Sequence, residues 1–249
     1  MALPHSQTIK HWMFNDALPW RAANGVDRKD GGYVEQVTPA GVDAGIMFKR
    51  TRVTARQIYV FSHGYMLGFA PGLDLAQDGV DYLTSKAWLG PDKGFARRLT
   101  REGALLDPTP DLYDHAFVLF ALAWHHKATG NVGSRDWMHR TLDYIETHLK
   151  VSDGEGFWHE LPPTGWRQQN PHMHLTEACL AAFEATGEAR FATVAKEIVG
   201  VFTSRFFDLK SQTLAEYFTN DLARATGDDG RIVEPGHQLE WAWILNSCR

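Results

Sequence analysis

Apolar residues recur at helical spacing along most of this chain. Strongly apolar segments at 50–68, 113–129 and 171–187 open with polar residues and predict buried helices. Segments at 134–150 and 188–205 follow as helices with a more polar face. Because each apolar helix is followed by an amphipathic one, the pattern predicts an all-α fold made of helix pairs.

A shorter helical segment at 76–83 follows the first apolar helix, and the rest of the chain lies outside these helices. The stretch 7–20 predicts a first helix, and alternating residues at 31–37, 154–160 and 214–218 predict short extended pieces. No shift in composition marks a domain boundary, so residues 1–249 are expected to form a single domain.

Two stretches place polar residues at the start of a helix. Asn170 is a suitable N-cap and Pro171 suits the first helical position. In the second stretch, His237 follows a proline, and Glu240 lies on the same helical face three residues later. Such positions can face a ligand, although Asn170 could instead serve only as a cap.

Polar residues lead the apolar helices at a regular interval. Arg56, Tyr113, His174 and His237 are separated by 57, 61 and 63 residues. A repeat of this length is typical of arrays of paired helices. If the pairs form a ring, the leading ends of the inner helices meet at one face, and the four residues converge on one cavity.

The number of units is smaller than a closed ring requires. Six units of this size need roughly 360 residues, whereas this chain supplies about four units. The last helix, near Trp241 and Trp243, has no outer partner, so we expect an exposed apolar patch there. The sequence pattern thus suggests that C-terminal helices are missing.

Composition and charge narrow the function classes. The 249 residues carry a net charge of -5 without a long basic run, which does not favour nucleic-acid or membrane binding. No N-terminal leader pattern and no apolar run near ~18 residues are seen, so a cytoplasmic location is expected. Cys179 and Cys248 are expected to be free thiols.

Two other chemistries fit the residues less well. His172 and His174 resemble a metal-binding pair, but residues two apart do not share a helical face, so no metal and no cofactor are expected. A glycoside hydrolase would need two carboxylates at the cavity, whereas the polar leaders are Arg, Tyr and His.

Four ordered motifs carry a family resemblance across nearly the whole chain. The stretches 56–62, 111–117, 170–178 and 235–241 resemble the N-acylglucosamine 2-epimerase family, which includes mannose isomerases and cellobiose 2-epimerases. The resemblance implies an (α/α)6 barrel, of which about four units are present here. It also implies cofactor-free isomerisation or epimerisation of a sugar.

The resemblance also implies roles for individual residues. Arg56, Tyr113 and Asn170 match residues that bind the sugar. His237 and His174 match histidines of the site, with His237 as a catalytic acid/base. Glu240 matches the carboxylate that orients His237. The family's other catalytic histidine lies beyond the last residue of this chain.

For three of these residues, interpretations without a functional role remain open. Tyr113 is also compatible with a core position, Glu240 with a solvated helix charge, and Arg56 with an ordinary surface position.

The residues and the resemblance together indicate proton transfer next to a carbonyl. At neutral pH a histidine side chain can accept the C2 proton of an open-chain aldose, which converts the sugar to a cis-enediol(ate). Aldose–ketose isomerisation of mannose or a related hexose is the first interpretation. The alternatives are 2-epimerisation of an N-acylhexosamine or a disaccharide, and an inactive remnant that only binds a sugar or a partner. A homodimer is left open.

Overall fold

The computed structural model describes residues 5–248 and consists mainly of antiparallel helix pairs. The inner helices are α3 (Thr51–Met66), α5 (Leu112–Thr129), α7 (Gln169–Thr186) and α9 (Pro235–Ser247). The outer helices are α4 (Gly72–Tyr82), α6 (Val132–Tyr144) and α8 (Ala189–Val201). The described residues therefore form three complete pairs and a fourth inner helix, which confirms the predicted all-α class.

A π-helical turn ends every outer helix. These turns are Leu83–Ala87, Ile145–Leu149 and Phe202–Phe206. The N-terminal helix has a similar turn, Met13–Ala17, between α1 (Ser6–Trp12) and α2 (Leu18–Asn24). The recurrence of the same irregularity shows that the units repeat in structure as well as in spacing.

Short strands gather where the inner helices begin. A three-stranded antiparallel sheet contains β1 (Phe48–Arg50), β2 (Arg98–Thr100) and β3 (Leu105–Asp107). Two-stranded pairs join β4 (Arg167–Gln168) to β7 (Tyr217–Phe218) and β5 (Phe207–Asp208) to β6 (Thr213–Leu214). The predicted extended pieces at 31–37 and 154–160 form isolated bridges instead.

Two helices begin earlier than the sequence predicted. Helix α7 begins at Gln169, so Asn170 lies inside its first turn rather than at the cap. Helix α6 is capped by Asn131, whose side chain accepts the backbone N–H of Ser134. In both cases the helix begins before the residue that the sequence suggested, because the true boundary depends on the preceding chain and not on side-chain preference alone.

Helix α5 lies at the centre of the core. It packs between α3 and α7 and against its outer partner α6, and most of its side chains are buried. A helix surrounded in this way is apolar on all sides rather than amphipathic. None of the helices within residues 5–248 is long and apolar enough to span a bilayer.

Two buried histidines join the inner helices to the preceding loops in the same way. Nδ1 of His115 lies 2.7 Å from the carbonyl of Asp111, and Nε2 accepts the N–H of Phe95 at 3.0 Å. His172 repeats this arrangement with Gln168 and Phe157 at 2.8 and 2.9 Å. Because a carbonyl can only accept a hydrogen bond, each ring is neutral with its hydrogen on Nδ1.

A glycine makes room for each of these rings. Gly94 and Gly156 have φ angles of +67° and +71°, and a Cβ on them would lie 2.4 and 2.8 Å from the respective imidazole Nε2. A larger residue would therefore collide with the ring as well as strain the backbone.

One side of α9 is uncovered. Trp241 is 1% exposed and packs on Phe202, with ring centroids 4.4 Å apart. Leu239 and Trp243 on the same helix are 75% and 58% exposed. The exposed apolar patch expected for the last helix is thus present.

Candidate active site

All six residues proposed from the sequence line one cavity of about 500 Å³. They are Arg56, Tyr113, Asn170, His174, His237 and Glu240. The other lining residues are Tyr59, Val60, Phe117, Phe120 and Glu177. Helices α3, α5, α7 and α9 all contribute, so the predicted convergence of the leading residues on one cavity is found in the structure.

The converging residues do not occupy equivalent helix positions. Arg56 and His174 are the sixth residues of α3 and α7, whereas Tyr113 is the second residue of α5 and His237 the third of α9. The spacing therefore predicted which helices meet at this cavity, although the residues lie at different depths along the barrel.

Arg56 and Tyr113 form a polar pair between α3 and α5. The guanidinium of Arg56 donates to the Tyr113 hydroxyl and lies 4.2 Å from the ring centroid of Phe117. Burial raises the pKa of Tyr113, although Arg56 and Arg52 act in the opposite direction. The phenol is therefore protonated at neutral pH and can act as a hydrogen-bond donor to a sugar oxygen.

His174 lies between two aromatic rings and two carboxylates. Its ring centroid is 4.9 Å from that of Tyr113 and 4.7 Å from that of Phe117. Its Nδ1 lies 3.2 Å from Glu177 and 3.6 Å from Glu240. Glu240 thus contacts His174, which corrects the expectation that it orients His237.

His237 is oriented by different side chains. Its Nδ1 lies 3.0 Å from Oε2 of Glu216 and 3.1 Å from Nε2 of Gln169. Glu216 lies between β6 and β7, outside the helices, so helical periodicity gave no signal for it. The only sequence feature that singles it out is a carboxylate within a short, otherwise apolar extended piece.

Asn170 lines the cavity with a side-chain oxygen that accepts no hydrogen bond from the described residues. Because it is not a helix cap, its side chain is free for other contacts, and its buried Oδ1 makes no hydrogen bond to the residues at 5–248.

A second cavity of about 680 Å³ adjoins the first and shares Tyr113 and Asn170 with it. Its charged residues are paired with one another. Arg52 bonds Asp111 at 3.1 Å, and Arg97 contacts both Asp111 and Glu160. The second cavity therefore presents polar, largely neutralised walls next to the histidines.

Metal binding would involve a different set from the one that the sequence suggested. Both nitrogens of His172 are bonded to the backbone, so His172 and His174 cannot act together as a ligand pair. His174, Glu177 and Glu240 offer nitrogen and oxygen atoms that lie within 4.8 Å of one another. These three are the described residues whose donor atoms could hold a divalent cation.

The helical fold and the histidine-lined cavity define a helical-barrel protein with acid/base groups at the leading ends of its inner helices. Residues 27–249 match the model of the N-acylglucosamine 2-epimerase (GlcNAc 2-epimerase) family. The chain belongs to this family, which consists of carbohydrate isomerases and epimerases.

Several curated proteins are similar to the chain in sequence. A mannose-6-phosphate isomerase of Rhizobium meliloti is 35% identical over 241 residues, covering 94% of this chain and 61% of that protein. A D-mannose isomerase of Thermobifida fusca is 30% identical over 211 residues, with 78% and 51% covered. A cellobiose 2-epimerase of Bacteroides fragilis is 23% identical over 247 residues, with 93% and 62% covered. The chain thus spans 51 to 62% of the length of these relatives.

Solved structures show the same fold. The cellobiose 2-epimerase of Spirochaeta thermophila superimposes with a TM-score of 0.87 at 24% identity, covering 97% of this chain and 62% of that one. A D-mannose isomerase gives a TM-score of 0.86 at 23% identity, with 98% and 66% covered. These likenesses confirm the (α/α)6-type architecture.

Proposed function

We propose that this protein isomerises a free aldohexose, mannose or a close relative, to the ketose without a cofactor. The observation that carries the proposal is the meeting of two carboxylate-bonded histidines, one arginine and one tyrosine in a single cavity. The curated relatives include D-mannose isomerases, which supports the choice of substrate.

The proposed reaction is a pair of proton transfers. His237 removes the proton from C2, and the electron pair of the C2–H bond forms the C1–C2 double bond. The aldehyde oxygen takes the negative charge, and Arg56 and the Tyr113 hydroxyl donate hydrogen bonds to it. The proton of the C2 hydroxyl is transferred to the O1 oxyanion, and the proton held by His237 returns to C1, which leaves the carbonyl at C2 and completes the ketose.

His174 is the proposed second acid/base. Its Nδ1 faces Glu177 and Glu240, and the residue lines the same cavity as His237. It can protonate the ring oxygen to open the hemiacetal, or supply a proton to the intermediate.

Epimerisation is the alternative that the site favours next. Two histidines in one cavity can act on opposite faces of the enediolate, which would return the proton to C2 with inverted configuration. The likeness to cellobiose 2-epimerases supports this alternative, with an N-acylhexosamine or a disaccharide as substrate.

The test is proton exchange on mannose in deuterated water, followed by NMR. Protein-dependent loss of the C2 proton together with fructose formation would support isomerisation. Loss of the C2 proton with glucose as the main product would favour epimerisation. No exchange by a chain that circular dichroism shows to be folded would contradict both and would favour a protein that only binds sugar.

A further inference from the structure

A chain of buried side chains leads away from His237 and returns to the same face of α9 one turn later, at Trp241. Nε1 of Trp241 donates to Oε1 of Gln169 at 2.7 Å, and Nε2 of Gln169 donates to Oε2 of Glu216 at 2.9 Å. The same Oε2 lies 3.0 Å from Nδ1 of His237. The family resemblance gives none of these three residues a role.

Each step of the chain has a fixed direction. An indole N–H can only donate, so Gln169 must point its oxygen to Trp241 and its amino group to Glu216. The carboxylate of Glu216 can only accept, so the hydrogen it shares with His237 lies on Nδ1. The 3.1 Å contact between Nε2 of Gln169 and Nδ1 of His237 then joins two donors that both bond Oε2 of Glu216. The nitrogen of His237 left with a free electron pair is Nε2.

The hydrogen bonds of this chain are shielded from water because the side chains that form them are buried. Gln169 and Trp241 are 0% and 1% exposed, and the Glu216 side chain is 6% exposed. His237 lines the reaction cavity, whereas Gln169, Glu216 and Trp241 do not. These three side chains therefore lie outside the cavity in which the sugar is proposed to bind, on the side from which Glu216 reaches His237.

We propose that Trp241, Gln169 and Glu216 are positioning residues that fix His237 in the tautomer with a basic Nε2. The inference deepens the proposed function, because it names the groups that make His237 a base. The same three residues connect α7, the segment between β6 and β7, and α9 next to His237.

The first measurement is the tautomer itself, which does not depend on activity. In ¹⁵N-labelled protein at neutral pH, the ring shifts and long-range couplings of His237 show which nitrogen carries the hydrogen. The spectrum of His237→Gln identifies its signals. We expect protonated Nδ1 in the unchanged protein, and a protonated Nε2 would overturn the proposal.

Two variants test the positioning chain. Glu216→Gln can donate to Nδ1 through its amino group, so we expect signals of the Nε2-protonated tautomer to appear. Trp241→Phe keeps an aromatic ring on Phe202 but removes the N–H that orients Gln169, so we expect a smaller change of the same kind. Trp243→Phe on the exposed side of α9 is the matched control and should change nothing.

Kinetics give the second readout. We expect Glu216→Gln to lower kcat on the order of 10²-fold with little change in KM, and Glu216→Asp to recover part of the loss. An unchanged tautomer in Glu216→Gln would overturn the proposal whatever the activity. If the unchanged protein has no activity, the proposed function has failed. The tautomer measurement still tests whether Trp241, Gln169 and Glu216 position His237.

Discussion

His237 and His174 differ in the carboxylates that face their Nδ1 atoms. His237 contacts the buried Glu216, which is held by other side chains. His174 contacts Glu177 and Glu240, whose side chains are 20% and 34% exposed. A buried carboxylate held by other side chains fixes the ring better than two carboxylates that are partly exposed. The ring of His237 is therefore held more firmly than that of His174.

The role of His237 is tested by replacing its ring. We expect His237→Gln to lower the isomerisation rate by about 10²- to 10⁴-fold, because the amide cannot accept the C2 proton. The helical circular dichroism signal should persist, since the residue lies at the cavity surface and not in the core. His139→Gln, at a partly exposed histidine paired with Glu188, is the control and should retain full activity. A fully active His237→Gln protein would exclude the assigned role.

At the scale of helices, the sequence predicted much of the architecture for a physical reason. Burial imposes an apolar period on each helix, and Gly130 and Gly187 end α5 and α7 in the left-handed conformation. The helix starts were less predictable, because Asn170 and Ser134 resemble caps but lie inside their helices. Side-chain preference is a weak signal compared with the path of the preceding strand or loop.

Helix α9 offers two tryptophans for a direct comparison of burial. We expect Trp241→Ala to lower the free energy of unfolding by about 3–5 kcal/mol, because it empties a packed site and leaves Gln169 without its donor. Trp243→Ala should change stability by no more than about 0.5 kcal/mol, because that side chain is mostly in solvent. Urea denaturation followed by circular dichroism measures both. Equal losses would mean that α9 is packed differently.

At the scale of the whole molecule, the residues that line the cavity could be predicted better than the hydrogen bonds that hold them. Regular spacing brings the leading residues of four inner helices to one face, independently of the conformation of the loops. The partner of His237, Glu216, lies 21 residues earlier between β6 and β7, and no helical period connects the two. Contacts between a helix and a loop depend on the three-dimensional path of the loop, which residue patterns do not encode.

The two histidines that join helices to loops should make the fold sensitive to acid. Burial lowers the pKa of His115 to about 4 and that of His172 to about 3. In the unfolded chain both take up a proton near pH 6.5. Below that pH the unfolded state therefore binds more protons, and the free energy of unfolding falls as the pH decreases.

The expected loss is about 1.4 kcal/mol per pH unit for each of these histidines, until the pH reaches the folded-state value. Urea titrations between pH 7 and pH 4.5 would measure it. His172→Gln can keep one donor and one acceptor but cannot titrate, so its stability should depend on pH by one proton less. If His172→Gln had the slope of the unchanged protein, the acid sensitivity would have to come from groups other than this repeated contact between helix and loop.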